Sequence, residues 1–337
     1  MKPAFSISSG GADITGHFND RLLDLKLTVH AGHENDELTL NLDDRDFAIT
    51  APPTGAQLGV SLGYDETGLV FMGVFIVDTV EVRGPPFTMQ IRAKAADTKS
   101  AQKQHRTLKY EKKKLGDIVQ EIAGRHGLKP AISQTLSSIQ YDYLHQNEES
   151  DWHILTRLSK AHDALFSVKN GFLLFVKRGE GKSFSGLGLP QVVISSVTQL
   201  LHYSASAKDR PRHSKTKAHW HDYTKGQVQI EEASGGGQGP EFTLRHLYPN
   251  KDLAKAAAEA KLSELKRAQG SCEIEMSGNA GVEAEGDLVI AVGRSVLDGV
   301  WTIKSVDHQL NDDGFKTRIN CEAKDGKESG SSSGGGD

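Results

Sequence analysis

Two histidines two residues apart, His219 and His221 in KAHWHDYTKGQVQIEE (217–232), are the clearest candidates for chemistry. On a β-strand, positions i and i+2 point to the same face, so such a pair can share one metal ion. A zinc or iron site of this kind needs a third protein ligand, and His213, His202 and His246 are the candidates. Pro211 and the lysines around His213 read as an exposed loop, however, and a hairpin accounts for the same residues without metal. Residues 223–227 then form the turn, Trp220 shares a face with Ala218, and the histidines share the other with Tyr223. The expectation is a polar hairpin with no metal ligand.

Other catalytic patterns are weaker. Gly179, Gly181, Gly186 and Gly188 lack the spacing and the strand-to-helix setting of a phosphate loop and read as a linker. Glu148, Glu149 and Asp151 offer carboxylates for acid–base work, but acidic residues at a helix start are what the helix dipole favours. The basic run Lys109 to Lys114 has the charge to touch phosphates, and reads more simply as a solvated face before a helix. Cys272 and Cys321 are too few for a disulfide framework or a cysteine zinc site and are expected as reduced, packed thiols. No catalytic residue and no cofactor is expected.

The elements that must carry these residues follow from periodicity. Strands are expected at 37–42, 57–62, 74–82 and 87–93, punctuated by Pro52-Pro53, Gly63 and Gly84-Pro85-Pro86. After Asp97 the period changes. Leu115, Ile118, Val119 and Ile122 recur at helical spacing, a second helix is expected after Ser150 as N-cap, and ALFSV and FLLFV flank Asn170-Gly171 as a hairpin. Strands resume at Gln191, residues 231–241 read as a flexible loop, and 250–270 reads as a helix capped by Asn250 and stopped by Gly270. The fold class is therefore mainly β with an α/β insert, an α+β fold. Its expected domains are a first β-domain over 1–97, the insert over 98–189, a second β-domain with one helix over 190–323 and a disordered Gly/Ser-rich tail over 324–337. Hydrophobic residues make up 37% and charged residues 25%, and the formal net charge is −4. That balance gives no global case for nucleic-acid binding. No apolar run reaches the ~18–20 residues of a membrane span and the first residues lack a signal-peptide core, so synthesis in the cytoplasm without a membrane anchor is expected.

The β-segments repeat. GVFIVDTVEV (73–82) aligns with GVWTIKSVDH (299–308), setting Phe75 on Trp301, Val77 on Ile303 and Val80 on Val306. Downstream, Phe87, Ile91 and Ala93 fall on Phe315, Ile319 and Cys321; upstream, Leu58, Val60 and Leu62 fall on Leu288, Ile290 and Val292. Agreement in spacing over three successive strands implies two similar β-domains flanking the insert.

Several blocks also carry a family resemblance: DITGHFNDRLLDLKL (13–27), ELTLNLDDRDFAI (37–49), GAQLGVSLGY (55–64), GVFIVDTVEVRGPP (73–86), LGDIVQEIAGRHGL (115–128), the segment 147–181 with ESDWHILTRL, and WHD (220–222). In this order, over roughly residues 10–323, the chain resembles the late-control D proteins of contractile-tailed phages. These are similar in role to baseplate hubs and to the N-terminal part of type VI secretion spike proteins. The resemblance implies a homotrimer with two tube-like β-barrels per chain, sited between the tail tube protein and the central spike protein among other baseplate proteins, and no catalysis. It implies a place in the virion tail baseplate, or in a headless tailocin particle, with DNA only as cargo through the lumen of a phage. Three departures stand out: GHFNDRLLDL (16–25), Lys112-Lys113-Lys114, and His219 ahead of the family's WHD. Since three chains with two barrels each present six similar units, the expected mechanism is symmetry matching between a trimeric spike and a hexameric tube. The rival classes are a metal-dependent hydrolase built on His219 and His221, and a wall-binding module built on 115–128.

Overall fold

The computed structural model describes residues 1–324 apart from 33, 96–103, 170, 179–188, 208–212 and 237–238. The first β-unit contains β1 (Pro3–Ser9), β2 (Ala12–Asp13), β3 (Leu22–His30), β4 (Glu37–Asp43), β5 (Gln57–Tyr64), β6 (Gly68–Arg83) and β7 (Thr88–Ala95). Their order in the sheet is β2-β1-β5-β6-β7-β4-β3. Strict alternation drives one face inward: Leu38, Leu40 and Leu42 of β4, Leu58, Val60 and Leu62 of β5, and Met89, Ile91 and Ala93 of β7 are all buried in one cluster.

The insert runs through β8 (His105–Lys114), α1 (Leu115–Arg125), β9 (Lys129–Ile132), α2 (Gln134–Ser137), β10 (Gln140–Ser150), α3 (Asp151–Ala161), β11 (Ala164–Lys169) and β12 (Phe172–Lys177). The expected helices form, and Ser150 caps α3 by accepting a bond from the His153 amide. The basic run precedes α1 as expected, but as strand. It is the end of β8, paired antiparallel with β10, with Tyr110 buried at its centre. The ALFSV and FLLFV strands pair as expected and gain β9 as a parallel neighbour. Their turn residue Asn170, like most of the expected linker at 179–190, lies outside the described residues.

The second β-unit contains β13 (Val192–Ile194), β14 (Leu200–Ala207), β15 (Lys215–Asp222), β16 (Gln227–Ser234), β17 (Phe242–Tyr248), α4 (Lys251–Arg267), β18 (Gly270–Ser277), β19 (Asp287–Ile290), β20 (Gly299–Asn311) and β21 (Gly314–Ala323). Three readings are corrected. Glu231–Ser234 are not loop but continue β16, because each residue finds a register partner on β15. The turn between those strands spans 223–226, with Gln227 already in strand. Gly270 does not stop α4: the C-cap is Ala268, and Gly270 opens β18. Strands β15, β16 and β17 form their own sheet, and α4 lays Ala254, Ala258 and Leu262 on Ala218 and Ala233 of it. Small residues on both surfaces let the helix approach closely. The expected disordered tail lies, after Lys324, outside the described residues.

The repeat holds at the level of backbone register. Leu58 faces Phe75 as Leu288 faces Trp301, and Val60 faces Gly73 as Ile290 faces Gly299. Phe75, Val77 and Val80 face Ala95, Ala93 and Ile91; Trp301, Ile303 and Val306 face Ala323, Cys321 and Ile319. Both long strands break register at the same place, at Asp78 between Val77 and Thr79 and at Lys304 between Ile303 and Ser305. The equivalence extends beyond the three strands read from sequence. Leu40 joins Ile91 to Leu25 as Ile274 joins Ile319 to Tyr203, with a second shared irregularity between Leu22 and Asp24 and between Leu200 and His202. Gly73 and Gly299 both adopt positive φ, 137° and 128°, at the start of the repeated segment. Phe75 and Trp301 fill matching core sites at 1% and 0% exposure. The larger indole is admitted by Gly270, where an added Cβ would stand 3.3 Å from the ring. The units differ at their outer strand: β1 runs antiparallel to β5, whereas β13 runs parallel to β19.

Candidate functional site

The histidine hairpin is built as the alternation requires. His219 faces Ile230 and His221 faces Val228 across β15 and β16, Gly226 turns the chain at φ 64°, and Trp220 donates its indole N–H to Glu231 at 3.3 Å. The His221 ring lies on Tyr223 with centroids 4.6 Å apart. The three candidate third ligands sit on other segments. His213 Nδ1 lies 3.0 Å from the Pro240 carbonyl oxygen, His202 sits on β14 opposite Glu275, and the His246 ring packs edge-on to Tyr248. Among the described residues no group of three or more His, Cys, Asp or Glu side chains is placed to hold a metal.

The acidic run divides. Glu149 pairs with Arg157, while Asp151, only 1% exposed, receives Arg125 at 3.1 Å and the Gln146 amide at 2.9 Å and lies 2.9 Å from His126 Nε2. Asp151 therefore clamps the start of α3 to the end of α1, a packing role that a surface dipole argument did not anticipate. In the basic run, Lys113 pairs with Glu121 and Lys109 approaches Glu111, so these lysines belong to charged strand faces. Cys272 and Cys321 are buried directly opposite one another on β18 and β21, and burial pushes the Cys321 thiol pKa up.

The most developed polar arrangement lies where the two β-units meet. Strand β20 runs on past its own unit and pairs antiparallel with β3, so the β-units share one sheet through main-chain bonds. Val306 faces Val29, His308 faces Leu27 and Leu310 faces Leu25 on the inner face. On the other face the Thr28 hydroxyl donates to Asp307 at 2.6 Å and Gln309 donates to Asp24 at 2.7 Å. His308 is fully buried, with Nδ1 3.1 Å from the Thr317 hydroxyl, and burial lowers its pKa to about 4, so the ring is neutral at pH 7. The Tyr64 hydroxyl closes the seam by donating to the Gly278 carbonyl at 3.1 Å.

A second seam ties the insert to the second β-unit. Arg267 donates to Asp163 at 2.9 Å and lies 3.2 Å from Glu322, while Arg178 stands 3.6 Å from the same Glu322. Beside them Glu285 is buried, and desolvation raises its carboxyl pKa to about 7, with Arg178 opposing. These arrangements join parts of one chain, and the hydroxyl they set beside an imidazole, Thr317 at His308, is fully buried with it. Residues 40–314 match the family model of the phage tail baseplate hub (GPD).

The chain belongs to that family. This hub is 32% identical to the probable baseplate hub protein of Escherichia phage P2, over 96% of its own length and 94% of the relative's. Its fold resembles the 43 kDa tail protein of prophage MuSo2 from Shewanella oneidensis, with a TM-score of 0.69 and 14% identity, covering 95% and 98% of the two chains. It also resembles an Escherichia coli type VI secretion component, itself described as similar to the T4 tail proteins gp27 and gp5. There the TM-score is 0.57 and the identity 9%, covering 96% of this chain and 78% of that one. The hub is a structural protein of the phage tail baseplate rather than an enzyme, as the resemblance implied.

Proposed function

We propose that three copies of this hub close into a ring that adapts a trimeric central spike to a hexameric tail tube and lines part of the central channel. Residues 1–97 and 190–323 act in it as two tube-like barrels carried on either side of the 98–189 insert. The observation that carries this reading is the doubled register, with both irregularities repeated: a chain that builds the same five-strand unit twice offers six similar units in a ring of three. A trimeric partner would meet the chains and a hexameric partner the units. In a phage the lumen passes DNA; in a headless tailocin particle it carries none. Permanent assemblies of this kind bury on the order of 2,000 Å² or more per contact.

Sedimentation of the purified chain, alone and with its cognate spike protein, tests the reading. A ring has three times the 36.6 kDa of one chain and projects in electron micrographs with near six-fold symmetry. A particle of two or four chains would sink it.

A further inference from the structure

The junction between β3 and β20 is made inside one chain, but the repeat supplies both of its parts a second time and leaves them uncovered. In β20 the stretch after the Lys304 irregularity, Ser305–Asn311, has β21 on one side and β3 on the other. The matching stretch of β6, Thr79–Arg83, has β7 on one side and, among the described residues, no strand on the other. Up to that point the two edges are alike. Val77 N–H donates to Ala56 and its carbonyl accepts from Gly55; Ile303 N–H donates to Gly286 and its carbonyl accepts from Glu285. Beyond it, β20 meets β3, and the matching edge of β6 has no strand among the described residues.

The partner that β6 lacks is also present. Strand β14 holds in the second unit the place that β3 holds in the first, with the same neighbour and the same register irregularity, and it ends the sheet. We propose that neighbouring copies of the hub join by adding β14 of one chain to residues 79–83 of β6 in the next. The strands run antiparallel, with Glu81 opposite Ser206 and Val82 opposite Ala205.

Side-chain chemistry fits this register. Thr28 donating to Asp307 at 2.6 Å becomes Ser206 donating to Glu81, a hydroxyl to a carboxylate in both. Val29 against Val306 becomes Ala207 against Val80, and Leu27 against His308 becomes Ala205 against Val82. Exposure marks the open edge: Val82 is 65% exposed where its counterpart His308 is 0%. An edge strand with unpaired main-chain groups and an exposed apolar side chain is a template for strand addition. The occupant is a second copy because the complementary edge is on this same chain, at the other end of its sheet, which makes the contact head-to-tail. Closure at three copies rests on the ring reading above; the strand register does not.

The test is cysteine cross-linking in the full chain, with Cys272 and Cys321 left in place because both are buried. Glu81→Cys with Ser206→Cys should form intermolecular disulfides in roughly tenfold higher yield than Glu81→Cys with Ser204→Cys, or than either single variant. The ladder of linked species should end at three chains. An assembled particle in which the off-register pair links equally well overturns the junction and leaves the ring standing. A ladder running past three keeps the junction and overturns the ring, and a chain that neither assembles nor links at any concentration overturns both. Val82→Asp supplies the second measurement. Its exposure lets the single chain keep its Tm within about 1 °C, while association should weaken by roughly 100-fold or more through burial of an unpaired charge. Wild-type association of Val82→Asp would contradict the proposal.

Discussion

Replacing His308 by valine, the residue that holds the same register position in the first unit at Val82, should make the junction insensitive to acid. The buried imidazole titrates at about 4 in the fold against 6.5 for a free side chain. A depressed pKa means that the unfolded chain takes up the proton first, so stability is whole above pH 6.5 and is lost as pH falls through 4. For these two values the loss is about 2 kcal/mol at pH 5 and about 3 kcal/mol at pH 4. Valine cannot take the proton and nearly matches the ring in volume, so at pH 7.5 the two proteins should agree within about 1 kcal/mol. Thr317, which loses the imidazole, still accepts the Asn279 amide at 2.8 Å. His162 is also buried and titrates at about 4, but it is common to both proteins and cancels in the difference. Urea unfolding followed by fluorescence at pH 7.5, 6, 5 and 4.5, with buried Trp301 in the same unit as one reporter, reads that difference. A gap between variant and wild type that stays constant over this range would refute the reasoning.

Glu285 should show the opposite sign. Because burial raises its pKa from 4.5 to about 7, its contribution is fully present below pH 4.5 and is lost as pH rises through 7. Glu285→Gln, always neutral, should be more stable than wild type by about 3 kcal/mol at pH 8 and equal to it below pH 4.5; equal urea midpoints at pH 8 would show the carboxylate to be accommodated. Phe75→Asp and Trp301→Asp should each cost several kcal/mol by burying an unpaired charge in matching core sites. Hydrogen exchange should then show faster exchange in the altered β-unit while α1 and α3 stay protected, and a cost under about 1 kcal/mol for either would mean that its site is not core. We propose that the hairpin histidines hold no metal: elemental analysis should find no stoichiometric zinc, iron or nickel, and His219→Ala with His221→Ala should unfold at the wild-type midpoint. One metal per chain, lost in that double variant, would reverse this.

What the chain displayed before its structure was known depended on whether a side chain carried the message. ELTLNL, QLGVSL and FTMQIRA announce their buried face because each inward residue is apolar, and Phe75 and Trp301 announce their kinship because both units need a large ring at one core site. Strand β8 was illegible. Its lysine run looks solvated, and Leu108 and Tyr110, the inward residues, are too few to set a period against it. Glu231–Ser234 were hidden by the glycines that follow, although the ladder to β15 continues through them. Asp151 was misjudged for a different reason: an acidic residue at a helix start already had a sufficient local explanation, and its partners Arg125 and His126 belong to another helix.

The irregularities at Asp78 and Lys304 show why the candidate site was the least legible part. A residue at a bulge faces no partner, so its type is nearly free, and here the two carry opposite charges. Yet that extra residue determines where the strand leaves its own unit and which stretch beyond it is presented to a neighbour. Pairing between β3 and β20 is a contact between backbone amides and carbonyls that every residue type but proline supplies alike. Sequence therefore marks such an edge only through small consequences, such as the hydroxyl and carboxylate of Thr28 and Asp307 set again as Ser206 and Glu81. A function carried by edges becomes readable once the register of one completed junction is known, because the repeat then fixes which side chains must meet at the other.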